Sequence, residues 1–326
     1  MATIYDVAKR ARVSTYTVSA VLNQSAFVSP ELTERVKRAV EELDYSINEV
    51  ARSLQTRKTR TVGMLIPDIA SPFYSKVVRG VEDRLKQDGY SLFLGNTYNQ
   101  AGEQSRYLSL FRAKMADGIL LFVAPGGEEE VQRLVEARKP VVFVGRAPKS
   151  LEADTVTADN MEGTRQAVAH LIQKGHKRIA IVTGHLDLST STDRVEGWRR
   201  ELEAHGLEAP ERYVLEGDWT TVSGHEAGVK LLRMKNRPTA AFAANFLMMA
   251  GVLRALKERG VAVPGEMEVM SSDDSELLDS FDPPVSTVVQ PSYEMGQEAA
   301  RLILERVKNP KLPFQKITLQ ASLRIR

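Results

Sequence analysis

Two sets of side chains in this 326-residue chain have types and spacings that could do chemistry, and both are suited to binding rather than to breaking bonds. The first is Thr15, Tyr16, Thr17, Ser19, Ala20 and Asn23, preceded by Thr3, Tyr5 and Ser14. Small or hydrogen-bonding groups at helical spacing can approach the donor and acceptor edges that bases expose in a major groove. The second set is scattered: Phe73 and Tyr74, then Arg194, Trp219, Asn245 and Asp273. Carboxylate and amide exchange hydrogen bonds with hydroxyls, a guanidinium bonds vicinal oxygens, and an indole offers an apolar face to a sugar ring. Such a set suits a polyhydroxylated small molecule. Asp273 and Asp274 are adjacent carboxylates, but sequence neighbours rarely face one substrate, so acid–base work is not implied.

Several chemistries have no residues to support them. The chain has no cysteine, which removes disulfides, iron–sulfur clusters, Cys-ligated zinc and thiol nucleophiles. His170, His176, His185, His205 and His225 lack paired metal-ligand spacing, so no metal or cofactor is expected. No GxxxxGK[ST] loop, GxSxG elbow, HExxH helix or GxGxxG turn occurs, and the chain reads as a non-enzyme. The opening residues contain no apolar run, and no later apolar stretch reaches 18 residues, so a cytoplasmic protein without membrane contact is expected. The net charge of +2 is small but uneven: residues 1–60 hold ten Lys or Arg against seven acids.

The first set must be held by short helices. Thr3-Ile4-Tyr5-Asp6 has capping-box spacing ahead of Val7, Ala8 and Ala11. Ser14 can cap a second helix, Thr15–Leu22, buried through Val18, Val21 and Leu22. Ser29-Pro30-Glu31 starts a third, with Leu32, Val36, Ala39, Val40 and Leu43 at helical spacing. Three such helices make a minimal core, either a helix-turn-helix that reads DNA or a dimerisation or docking module. Asn48 to Gln55 would be a one- to two-turn helix that folds on binding, and Arg57-Lys58-Thr59-Arg60 a basic tether able to neutralise phosphates.

The second set needs a larger scaffold. From Thr61, β-rich runs alternate with amphipathic helices, the pattern of open parallel sheets covered on both faces. Val62–Ile66, Ser91–Leu94, Ile119–Val123 and Val141–Val144 are strands of a first half. After Asp159-Asn160 a second half follows, with strands at Ile179–Val182, Val214-Leu215, Ala240–Ala243 and Glu268–Met270. Ligands of such sheets bind beyond the carboxyl ends of strands, where Asp68 to Tyr74, Asp187 to Arg194, Asp218-Trp219, Asn245 and Asp273-Asp274 fall.

The string Ile4-Tyr5-Asp6-Val7-Ala8-Lys9, Val13-Ser14, Thr17-Val18-Ser19 and Val21-Leu22-Asn23 resembles the headpiece of the lactose-repressor (LacI/GalR) family. The resemblance continues through Val28-Ser29, Leu43-Asp44-Tyr45 and Ala51-Arg52-Ser53-Leu54. It implies an α/β protein: a helix-turn-helix headpiece (1–46), a hinge helix and linker (47–60), and an effector-binding and dimerisation domain (61–326). That last domain would comprise two doubly wound parallel-sheet subdomains like those of periplasmic binding proteins, 61–159 plus 290–318 and 160–289 plus 319–326. By the same resemblance Asn48, Ala51, Arg52 and Leu54 belong to the DNA-binding set, and Leu54 wedges into a minor-groove base step. Arg194, Trp219, Asn245 and Asp273 would contact an effector, with Phe73 and Tyr74 lining the same cleft.

The implied protein is a homodimeric repressor on a palindromic double-stranded operator, controlled by a sugar or sugar derivative. The alternative is a cytoplasmic sugar-binding protein without DNA-directed function. The chain departs from the family's usual residues at Ala20 (Arg), Ile47 (Pro), Ser71 (Asn), Gly145 (Asp), Phe246 (Asp) and Ser271-Ser272 (Gly-Tyr). Leu188 stands where purine-responsive members carry Arg, which disfavours a purine effector, and Phe246 points to a less polar effector or an altered hinge.

Overall fold

The computed structural model describes residues 2–23, 26–45, 58–148 and 151–326. Contacts divide it into two units, Met1–Thr59 and Arg60–Arg326. Ile47, Asn48, Ala51, Arg52 and Leu54, and with them the expected hinge helix, lie outside the described residues.

In the smaller unit, α1 (Ile4–Ala11), α2 (Thr15–Asn23) and α3 (Pro30–Glu42) enclose Val7, Ala8, Ala11, Val18, Val36 and Ala39. The capping box forms: the Asp6 carboxylate accepts from the Thr3 amide at 2.9 Å and hydroxyl at 2.7 Å, and the Thr3 hydroxyl accepts from the Asp6 amide at 3.4 Å. These bonds hold the Asp6 carboxyl below its usual range. Arg12 ends α1 in the left-handed region, and the Ser14 hydroxyl accepts from the Thr17 amide at 3.1 Å to start α2. Arg35 on α3 donates to the Ala11 carbonyl at 2.6 Å, tying the third helix to the turn. Ala20 corrects the expected exposed face of α2. It is 2% exposed, because the short α2 touches both α1 and α3 and its buried arc extends from Val18 to position 20.

The larger unit holds two sheets. The first comprises β1 (Thr61–Ile66), α4 (Pro72–Gln87), β2 (Ser91–Asn96), α5 (Ala101–Ala113), β3 (Gly118–Leu121), α6 (Glu128–Glu136), β4 (Val141–Val144) and β5 (Asp154–Ala158). The second comprises α7 (Asn160–Gln173), β6 (Ile179–Thr183), α8 (Ser189–Ala204), β7 (Val214–Glu216), α9 (Thr221–Arg233), β8 (Ala240–Ala243), α10 (Phe246–Glu258), β9 (Glu268–Ser272) and β10 (Thr287–Val289). The chain then returns through α11 (Ser292–Lys308), which packs on α4, and gives β11 (Lys316–Leu319) to the first sheet and β12 (Ser322–Arg324) to the second.

Strand order is β11-β5-β4-β3-β1-β2 in one lobe and β12-β10-β9-β8-β6-β7 in the other. All pairings are parallel except β10 with β12. Among the described residues the chain passes between lobes at 159–160, 290–291 and 320–321.

Four strands, β5, β10, β11 and β12, were not legible in the sequence. β5 begins with a charge and alternates with threonine, so its hydropathy is weak; Asp154 is buried because Arg306 of α11 grips it with two bonds, of 2.9 and 3.1 Å. β11 and β12 are half exposed and acquire strand geometry from their partners, and β11 runs through Leu319 in the first sheet. No helix among the described residues is long and apolar enough to cross a membrane.

Candidate functional site

On the small unit, the surface of α1 and α2 carries two phenols, Tyr5 and Tyr16, each 73% exposed. Around them the hydroxyls of Ser14 and Thr17 lie 2.9 Å apart, and the Asn23 amide donates to the carbonyl and hydroxyl of Ser19 at 3.0 and 3.1 Å. Thr3 is exposed and Thr15 half-buried beside them, while Ala20 is turned into the core. These local bonds orient the polar groups of α2 in advance. Arg10, Arg12, Arg35 and Arg38 line a shallow basic depression of the same unit, with Arg10 paired to Glu42.

Within the large unit, a cleft lies between the lobes. Its lining is built almost entirely from residues just beyond strand carboxyl ends, where a doubly wound sheet opens on either side of the strand at which its order reverses. Phe73 and Tyr74 follow β1, Phe122 follows β3, and Gly145 and Arg146 follow β4. Arg194, Trp219, Asn245, Asp273 and Gln290 follow β6 to β10 in turn. All six residues of the scattered set therefore converge.

Asp273 has a positive φ of 69°, as does Trp219 at 71°, a backbone region uncommon for non-glycine residues. The Asp273 carboxylate accepts from the Gln290 amide at 2.6 Å, and burial raises its pKa to about 6 against the opposing charge of Arg194 and the Phe246 backbone amide. Arg194 is itself buried and pulled below its ordinary value by that burial, while Asp273 supplies the largest opposing charge. Its Nη1 donates to the Thr190 carbonyl at 3.3 Å, and its guanidinium sits 5.7 Å from the Trp219 ring centroid. The indole packs on Gly184, where any Cβ would lie 1.9 Å from Cε2.

Asn245 has a structural duty as well. Its carbonyl oxygen accepts from the Met248 amide at 2.8 Å, capping α10, and its amide donates to the Trp219 carbonyl at 2.9 Å. It lines the cleft while fixing the loop that carries the indole.

On the opposite wall, Tyr74 packs edge-on against Phe73 and Phe122, with ring centroids 5.1 and 5.0 Å apart, and burial pushes its hydroxyl up to about 12. Beside them Gly145, with φ of 74°, leaves space that the Phe122 ring fills; a Cβ there would lie 2.5 Å from Phe122 Cε1. Buried Trp219 Nε1 and Asn160 Oδ1, both cleft residues, have no hydrogen-bond partner. Such atoms are complementary to ligand hydroxyls.

Other candidates fall elsewhere. The Asp274 carboxylate accepts from Thr287 and Arg326, each at 2.7 Å, and is not part of the cleft lining. Asp68 caps its own turn through the Ala70 amide, and Asp218 bonds Thr220. Phe246 does not line the cleft either: it packs against Phe281 at 6.2 Å, so the less polar effector inferred from this departure has no support in the geometry. Leu188 is buried at the start of α8 and also outside the lining. Thr190 falls within the expected span Asp187 to Arg194, whereas Arg146, Phe122, Asn160 and Gln290 line the cleft without having been legible as site residues. Strand-end position was the only available signal for them.

Comparison with known proteins gives matches over the whole chain. Residues 3–48 match the bacterial regulatory proteins of the lacI family, and residues 168–326 a periplasmic binding protein-like domain. The HTH-type transcriptional repressor PurR of Vibrio atlanticus is 38% identical over 95% of this chain and 93% of its own length. The ribose operon repressor of Escherichia coli K12 is 38% identical over 98% of this chain and 97% of its own. Among solved structures, a lac repressor dimer bound to operator and the anti-inducer ONPF superposes with a TM-score of 0.88 at 27% identity, covering 100% of this chain and 98% of that one.

Proposed function

The chain belongs to the lacI family of bacterial regulatory proteins, and from that premise we propose that it is a transcriptional repressor whose affinity for a palindromic operator is set by a sugar or sugar derivative bound in the interlobe cleft. The observation that carries this reading is a single chain holding both a pre-oriented helix-turn-helix face and a cleft lined by Arg194, Asp273 and Trp219 in which Trp219 Nε1 and Asn160 Oδ1 have no partner. Short helix-turn-helix units read half-sites in pairs, so the operator-bound form is a dimer acting in the cytoplasm, where operator DNA lies. Ligand-driven movement of one lobe against the other would couple the two sites reciprocally.

The DNA-reading residues on this proposal are Thr3, Tyr5, Ser14, Thr15, Tyr16, Thr17, Ser19 and Asn23, together with Asn48, Ala51, Arg52 and Leu54 of the hinge segment. Selection of duplexes from a random library by the full chain, at near-physiological salt, tests the reading. An enriched palindrome whose affinity changes on adding a sugar is the expected result. Failure to enrich any sequence, with and without sugars or purine bases, leaves the sugar-binding alternative. Leu54→Ala should weaken operator binding on the order of a hundredfold while lowering nonspecific binding much less. Equal losses on both DNAs would remove the wedge.

A further inference from the structure

The cleft is lined by two buried guanidiniums, Arg146 and Arg194, and by one carboxylate, Asp273. Asp273 and Arg194 belong to the same lobe and are each other's main opposing charge. Arg146 stands on the other wall, 5% exposed. Its Nε donates to the Val123 carbonyl at 2.5 Å and its Nη2 to the Asn99 side-chain oxygen at 2.7 Å. Both acceptors are neutral. Its Nη1 makes no hydrogen bond among the described residues; burial pulls the guanidinium below its ordinary value, opposed by the Tyr74 hydroxyl, which burial keeps protonated, and by the carboxylates of Asp187 and Glu128, neither of which forms an ion pair with it.

A guanidinium taken out of water is costly unless it is paired, and carbonyl dipoles repay only part of that cost. A neutral hydroxyl adds one more dipole, whereas an oxyanion supplies the missing charge and can engage a nitrogen the protein leaves open. The backbone bond to Val123 and the bond to Asn99 also fix the fork, so the cation waits in one orientation.

We infer that the effector carries an anionic oxygen group, a carboxylate or a phosphate, seated at Arg146, with its hydroxylated body held by Arg194, Asp273 and Trp219. The inference rests on the cleft being the effector site. An acidic effector would also bridge the lobes, its charge held by one and its ring by the other, so occupancy would favour the closed arrangement.

Calorimetry on the full chain tests it with matched triples: ribose, ribonate and ribose 5-phosphate; glucose, glucuronate and glucose 6-phosphate; galactose, galacturonate and galactose 6-phosphate; and inorganic phosphate alone. One acidic member should bind on the order of tenfold to a hundredfold tighter than its neutral counterpart. Whether it is the carboxylate or the phosphate identifies the source of the anion. Arg146→Gln should remove that preference, and Arg146→Lys, which keeps the charge, should retain part of it and show that the fold survives at this position. The proposal is overturned if neutral sugars bind as tightly throughout, if Arg146→Gln keeps the preference, or if no triple and no phosphate binds. Operator affinity measured alongside separates the two readings. Arg146-dependent acid binding that leaves operator affinity unmoved sinks only the regulatory reading, and a neutral sugar or purine base that moves it sinks only this one.

Discussion

The two lobes share a strand order but meet the cleft with different materials. One offers a wall of interlocked rings, Phe73, Tyr74 and Phe122, around a single guanidinium tied to neutral oxygens. The other offers two buried groups of opposite charge, Arg194 and Asp273, beside an indole held at an unusual φ. The contrast teaches that a doubled scaffold fixes where ligand groups can stand, not which groups they are. The ring wall is self-sufficient, since each ring has ring partners. The charged wall is stressed, since burial penalises the ionised form of Asp273 and raises its pKa.

The charged wall should therefore dominate binding, and the largest expected effect is there. Asp273→Asn should lower effector affinity on the order of a hundredfold, read by calorimetry and by loss of the effector's influence on operator binding. A loss under threefold would place recognition on the ring wall instead.

Stability should move the opposite way with pH. The folded-state pKa of Asp273, about 6, lies above its ordinary value of 3.8, so the folded protein keeps a proton that the unfolded chain has released between those values. The group's contribution is fully favourable below about pH 4, is lost as pH rises through about 6, and then stays constant. Relative to Asp273→Asn, the wild type should lose about 1–3 kcal/mol over that window, measured by chemical denaturation at a series of pH values. A flat difference would mean that Asp273 is not stressed.

Smaller effects follow from the groups that shape each wall. Trp219→Ala removes the apolar face and the ring over Arg194 and should weaken a sugar ligand about tenfold. Tyr74→Phe deletes only a hydroxyl while keeping the ring stack, and should cost roughly two- to tenfold in ligand affinity. If Tyr74→Phe proved as damaging as Asp273→Asn, the division between a shaping wall and a charged wall would fail.

How much of this could be read beforehand depended on the range of the interactions involved. The caps at Thr3, Ser14 and Ser29 involve partners three residues away, and their residue types announce them. The scattered set of Phe73, Tyr74, Arg194, Trp219, Asn245 and Asp273 could be named because strand ends are recognisable and ligands gather beyond them. Arg146 is a different case. An arginine after a short apolar strand reads as a surface charge, and it is buried only because Val123 and Asn99, from two other loops, supply its acceptors. Ala20 and Phe246 failed in the reverse direction: type and position suggested contact with a partner, whereas α1 and α3 enclose one and Phe281 covers the other.

The sequence by itself determined the helix starts of the small unit, the alternation that makes two parallel sheets, and the absence of sulfur chemistry, since each depends on residue type and short-range spacing. Tertiary structure alone decided which strand ends face one another, which of two adjacent aspartates enters the cleft, and which cation there is tied to neutral acceptors on two other loops. Those outcomes depend on three passages of the chain between lobes and on burial, and dielectric surroundings are a property of everything packed around a group rather than of its neighbours in sequence.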